Sequence, residues 1–275
     1  MRAIAAVVLG LVACAGIAAA LVLRPHLPAA ERGRRLAERT GCFGCHGPGG
    51  LSGARNPGRT DKTVPGFADD LMMYAKTPAE IREWVRDGVT AKKRVSRTWR
   101  EQRERGALRM PAFRGRLSEG DLDDLVAFVM ATSGMPEPED SLAAAGLVRA
   151  EALGCVGCHG PGGRLARSNP GSLKGYVPSW DGPDFAELVR DSTEFRQWVE
   201  RGVCIRLDGD PLAKFFLRRA VLKMPAYGRR LDAPDVPALW TYVRWLRSSG
   251  PASGRGAPGP GEAATDTERR PGDPP

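Results

Sequence analysis

Cys42-Phe43-Gly44-Cys45-His46-Gly47-Pro48-Gly49-Gly50 and Cys155-Val156-Gly157-Cys158-His159-Gly160-Pro161-Gly162-Gly163 are two copies of one stretch, 113 residues apart in a chain of 275. Placing His46 over His159 brings much of the chain into line. At that offset Gly33 meets Gly146, Asn56-Pro57-Gly58 meets Asn169-Pro170-Gly171, and Val64-Pro65 meets Val177-Pro178. One residue further, Trp84-Val85 meets Trp198-Val199, Gly88-Val89 meets Gly202-Val203, and Met110-Pro111-Ala112-Phe113 meets Met224-Pro225-Ala226-Tyr227. The chain reads as one unit written twice, each copy of domain size.

Two thiols three residues apart can hold zinc, form a redox disulfide or carry a porphyrin, and a histidine directly after the second thiol selects the last of these: C-x-x-C-H is the attachment pattern of c-type haem. The thiols add to two vinyl groups on one edge of the ring, and the imidazole reaches the iron. The chain holds only six Cys and three His, so two complete pentamers are not a chance pairing. Cys42, Cys45, Cys155 and Cys158 are the attachment residues, and His46 and His159 the first axial ligands. Cys14 and Cys204 remain; Cys204 falls opposite Thr90 and reads as a small packing residue, with a thiolate ligand as the alternative.

Each iron needs a second axial group. His26 is the one other imidazole in the chain, so two further histidine ligands are impossible. A thioether suits haem iron and favours its ferrous state. Of seven methionines, the duplication selects Met110 and Met224, each opening Met-Pro-Ala-aromatic. Met72 and Met73 read instead as core-filling residues.

These motifs together, with a closing helix carrying Leu125/Phe128 and Leu239/Tyr242, resemble class I cytochrome c, here in tandem over about residues 29–249. The resemblance implies an all-α fold, two domains of a few short helices wrapped around covalent haem. It implies that a glycine of the first helix crosses an aromatic of the last, with Gly33 and Gly146 at those places. It also implies a proline carbonyl bonded to each proximal histidine, for which Pro57 and Pro170 are the candidates, with turn prolines as the alternative. Trp84 and Trp198 pack the core against the porphyrin, or donate to a haem propionate.

Helix signals agree with that class. Thr77-Pro78-Ala79-Glu80 is a start signal, followed by Ile81, Trp84 and Val85 on one face and a stop at Gly88; Asp191 to Gly202 repeats it. First helices are expected over Ala29 to Arg39 and Leu142 to Leu153, and last helices from Ser118 and from Asp232, where Pro237 is a local flaw. No period-two alternation argues for strands. The divisions are residues 1–28, an anchor or signal segment; 29–135 and 136–249, the two haem domains; and 250–275, a Gly/Pro-rich tail read as disordered.

Ala3 to Leu23 is an uncharged run long enough to cross a bilayer, although a cleaved signal or a lipoprotein box at Cys14 would also use it. Arg24, Arg32, Arg34 and Arg35 follow it, against the positive-inside rule, whereas the resemblance places the haem domains in the periplasm. The net charge of +9 favours acidic redox proteins or an anionic membrane as partners, and no nucleic-acid motif accompanies it. The stretch Lys92 to Arg109 reads as a docking surface or a solvated basic loop. The expected function is a dihaem electron carrier without catalytic residues. The alternatives are a dihaem oxidoreductase of the peroxidase or thiosulfate dehydrogenase kind, and a cytochrome subunit of a larger dehydrogenase or oxidase.

Overall fold

The computed structural model describes residues 2–68, 71–134 and 137–249, and the chain is mostly helical. The tail 250–275 and Met135 at the expected domain boundary lie outside the described residues. The first helix, α1, spans Arg2–Leu23, and Val7, Leu9, Leu11, Val12 and Ile17 on it are exposed. Among the described residues no helix is long and apolar enough to cross a membrane, and the run 3–23 includes side chains outside that description.

Beyond α1 the first half runs α2 (Ala29–Arg39), α3 (Phe43–His46), α4 (Leu71–Tyr74), α5 (Pro78–Asp87), α6 (Ala91–Val95), α7 (Arg97–Arg105) and α8 (Glu119–Thr132). The second half runs α9 (Ser141–Ala152), α10 (Cys155–His159), α11 (Pro183–Leu188), α12 (Ser192–Arg201), α13 (Ile205–Gly209), α14 (Pro211–Arg219) and α15 (Asp235–Ser249). The same series of elements is therefore laid down twice. The one sheet among the described residues is a two-residue antiparallel pair, Arg167–Ser168 on Tyr176–Val177, which closes a loop.

Caps explain where these helices begin. Thr77 Oγ1 accepts from Glu80 N–H at 3.2 Å, and Asp191 Oδ1 accepts from Glu194 N–H at 2.9 Å. Each glutamate reaches back one residue further than a capping box requires, to Lys76 N–H at 2.7 Å and Arg190 N–H at 3.0 Å. Ser118 and Asp121 form a complete capping box on α8. The last helix begins at Asp235, three residues later than the sequence signal at Asp232, whose N–H instead bonds Asp235 Oδ2 at 2.8 Å. That shift removes the apparent flaw at Pro237: in the first turn its missing N–H had no intrahelical acceptor to lose.

In each half the first and last helices cross at a glycine. A Cβ on Gly33 would lie 1.8 Å from Asp124 O and 2.9 Å from Phe128 Cβ; on Gly146 it would lie 2.1 Å from Ala238 O and 2.8 Å from Tyr242 Cβ. Only hydrogen fits there, so α2 meets α8, and α9 meets α15, at backbone contact. Leu36, Leu122, Leu125, Phe128 and Val129 form the first core beside that crossing, and Leu239, Tyr242, Val243 and Leu246 the second. The halves also touch each other. Leu165 packs into the first core, the turn at Pro161–Gly163 lies against α8, and His26 Nδ1 sits 3.1 Å from Asp184 Oδ1.

Candidate haem sites

His46 closes α3 and His159 closes α10, each pinned by a carbonyl. Nδ1 of His46 donates to Pro65 O at 2.8 Å, and Nδ1 of His159 donates to Pro178 O at 2.9 Å. A carbonyl only accepts, so Nδ1 carries the proton and Nε2 keeps its lone pair, the tautomer a metal ligand needs. Burial pushes both imidazole pKa values below the ordinary range, outweighing the carbonyl, which holds the rings neutral. Phe67 lies against His46 with ring centroids 4.6 Å apart, and Trp180 against His159 at 5.0 Å.

Pro57 and Pro170 are therefore not the histidine partners. Their carbonyls accept from Ala107 N–H and Val221 N–H, each at 3.0 Å, and so hold the loop after the haem motif to the segment before the methionine. The partner prolines, Pro65 and Pro178, were already visible in the aligned Val-Pro pairs; only the chain's return path shows which carbonyl reaches the ring. Asn56 and Asn169, the residues just before Pro57 and Pro170, complete the same stitch. Asn56 bonds Leu108 N–H and C=O at 2.8 and 3.0 Å, and Asn169 does the same to Leu222. Asn56 is 2 % exposed and Asn169 5 % exposed, so both are committed to backbone rather than to water.

The methionine segments are placed by the ends of α5 and α12. Gly88 and Gly202 close those helices at φ +70° and +78°, and a Cβ there would lie 2.6 Å from Met110 O and 2.5 Å from Met224 O. Phe113 N–H bonds Val85 O at 3.2 Å and Tyr227 N–H bonds Val199 O at 2.9 Å. The first half encloses a cavity of about 1330 Å³, its open mouth included, with Cys42, Cys45, His46 and Met110 all on its wall. Phe67, Leu71, Ile81, Leu125 and Phe128 supply apolar surface around them. An apolar slot bearing two thiols, a neutral imidazole and a thioether fits covalent haem. In the second half Cys155, Met224 and Tyr227 border the core that contains Trp198 and Tyr242, and burial there raises the Cys155 thiol pKa.

Other expectations change. Trp84 Nε1 donates to Tyr74 O and Trp198 Nε1 to Leu188 O, both at 3.0 Å, so neither N–H is free for a propionate. Met73 is 68 % exposed and fills no core gap; the side chain of Met72 lies outside the described residues. Cys204 is fully buried in the second core, at the start of α13 where Thr90 caps α6 in the first half. Most of the basic stretch 92–109 is helix and not loop: it folds as α6 and α7, matched by α13 and α14, before the non-helical residues 106–109.

Comparison with known proteins adds one match. A search of curated proteins finds none, whereas residues 28–129 match the family model described as cytochrome C oxidase, cbb3-type, subunit III. The matched span contains the first C-x-x-C-H motif, Met110 and the α2–α8 crossing, and it supports a cytochrome c, a class that carries covalent haem c and transfers electrons through it.

Proposed function

We propose that this chain is a dihaem c-type cytochrome carrying single electrons between redox partners. Cys42 and Cys45 would attach one haem, with His46 and Met110 as ligands to its iron; Cys155 and Cys158 would attach the other, with His159 and Met224. When bound, haem supplies a one-electron ferric/ferrous couple. The chain's own residues hold each imidazole in one tautomer, exclude water with an aromatic and aliphatic shell, and set a thioether on a backbone segment pinned at both sides. The observation that carries the reading is the repeated geometry: in both halves the histidine of C-x-x-C-H bonds a proline carbonyl, and the methionine follows a left-handed glycine contact. With a histidine and a methionine committed to each iron, no open site would remain for substrate, which suits a carrier rather than an oxidoreductase.

Membrane attachment through residues 3–23 with the haem domains in the periplasm, or a soluble periplasmic form after signal cleavage, belongs to the same proposal. So do acidic redox proteins as partners of the basic face at α6 and α7. A second reading, a cytochrome subunit of a larger oxidase, is favoured by the description of the family matched at residues 28–129. It changes the partner and not the chemistry.

Pyridine haemochrome analysis is expected to give two haems per chain. The ferric protein should show a methionine-to-iron charge-transfer band that loses about half its intensity in Met110→Ala and again in Met224→Ala. A high-spin ferric signal in the wild type would refute the closed-site reading and favour an enzyme.

A further inference from the structure

The segment that serves the second histidine carries more than its acceptor. His159 Nδ1 donates to Pro178 O, the Trp180 ring lies against the imidazole, and Trp180 N–H bonds Gly163 O at 2.8 Å, which sets residues 178–182 beside Arg164. Arg247 Nη1 spans the same segment, 3.0 Å from Trp180 O and 3.1 Å from Gly182 O. Asp181 stands between those carbonyls. Its Oδ1, Ser179 Oγ and Arg164 Nη2 are all buried and meet no hydrogen-bond partner among the described residues. Ser179 is fully buried and Arg164 8 % exposed, so bulk water does not complete their bonding. A carboxyl, a hydroxyl and a cation are thus held in one place with bonds left to make, an arrangement that costs stability. The first half has none of it. Leu51, Gly66 and Ala68 occupy the positions of Arg164, Ser179 and Asp181, with Phe67 for Trp180 and Phe128 for Tyr242.

We infer that Asp181, with Arg164 and Ser179 beside it, is a proton site tied to the redox state of the second haem, whose presence is the reading on which this inference rests. Asp181 takes one proton from water as one electron from a redox partner arrives at that site, and returns it when the electron leaves. The one bond made and broken is the carboxyl O–H. An added electron removes a unit of positive charge beyond His159 and Trp180, and a carboxylate largely sealed from solvent feels that loss more than one in water does. Burial already pushes the Asp181 carboxyl above the ordinary carboxylate range, against the pull of the Arg164 and Arg247 cations. The residue as a whole is partly exposed, which leaves a path for the proton. Other titratable groups on the elements packed there are committed elsewhere. Asp184 on α11 bonds His26, Lys174 and Tyr176, Tyr242 Oη on α15 donates to Gly162 O at 2.8 Å, and Glu151 on α9 lies on the Tyr242 side.

Redox titration of the full haem-loaded chain over a pH series tests this, the second site's wave being the one that falls in Met224→Ala. That wave should lose potential as pH rises through a limited interval and lie flat on either side. Its two bends should stand about one unit apart, a roughly tenfold difference in the proton affinity of Asp181 between the oxidised and reduced forms. Asp181→Asn, nearly the same in shape, should flatten the profile and remove a carboxylic C=O band from the reduced-minus-oxidised infrared difference spectrum, while the first wave keeps its own pH profile. Arg164→Gln removes a cation that holds the carboxyl down and should move both bends to higher pH; it decides the matter where Asp181→Asn loses its second haem. A second wave whose pH profile survives either substitution unaltered overturns the proton site. Haem content separates this from the underlying reading. A wild-type chain without haem at Cys155 and Cys158 overturns both, whereas a loaded chain with a pH-independent second wave overturns the proton site alone.

Discussion

Replacing Gly33 with alanine puts the helix crossing to a direct test. The new Cβ would sit 1.8 Å from Asp124 O, 2.5 Å from Asp124 C and 2.9 Å from Phe128 Cβ. Carbon–oxygen contacts between packed helices run about 3.3–3.6 Å, so α2 and α8 would have to part by about 1.5 Å. Two of the three obstacles are backbone, and no rotamer change clears them. Overpacking of this kind costs about 1–3 kcal/mol, while alanine in place of a helical glycine returns about 0.5–1 kcal/mol. A net loss of about 1–2 kcal/mol is expected, which in a unit of this size lowers Tm by roughly 4–16 °C. Gly146→Ala, 2.1 Å from Ala238 O, should behave alike in the second half. Gly120→Ala is the control on α8, because its nearest neighbour would be 3.9 Å away, and it should be neutral or slightly stabilising. Far-UV circular dichroism melts of the full chain read all three. If Gly33→Ala melts no lower than the wild type and the Gly120→Ala control, the close crossing is wrong.

Two further perturbations follow from named bonds. Asn56→Ala removes both bonds from the buried Asn56 side chain to the N–H and C=O of the partly exposed Leu108, for an expected loss of about 1–3 kcal/mol by chemical denaturation; because Met110 lies two residues on, its charge-transfer band should weaken below the unfolding transition. Arg206 beside Glu194 holds that carboxyl down to about 2, from 4.5. A depressed folded pKa means the stabilisation is full above 4.5 and fades as pH falls toward 2, so Glu194→Gln should flatten the acid limb of stability between those values and leave alkaline behaviour unchanged. An unchanged acid limb would show the pair to be screened away.

Much of the fold is legible along the chain because its signals are local or duplicated. Helix starts at Thr77, Ser118 and Asp191 depend on a cap two or three residues from the amide it serves, so sequence spacing reveals them. At Asp232 the sequence signal and the structure differ, because its N–H bonds the side chain of Asp235 and the helix proper begins there, a choice made by geometry within one turn. The histidine-bonding proline is hidden for a different reason. Both Asn-Pro-Gly and Val-Pro recur in register, and nothing in spacing says which carbonyl folds back to an imidazole 19 residues away. Trp84 and Trp198 show the same limit, since each indole's acceptor is a backbone carbonyl outside its own helix.

The sequence by itself determined where covalent haem is expected: C-x-x-C-H is an attachment pattern confined to five residues, and the duplication singles out Met110 and Met224 from seven methionines. Tertiary structure alone decided which groups orient and surround those ligands. Pro65 and Pro178 at the imidazoles and Asn56 and Asn169 at the methionine segments all depend on contacts between distant segments. Such contacts leave no periodicity in the chain, because a hydrogen bond is set by where two backbones meet and not by how far apart they are in sequence.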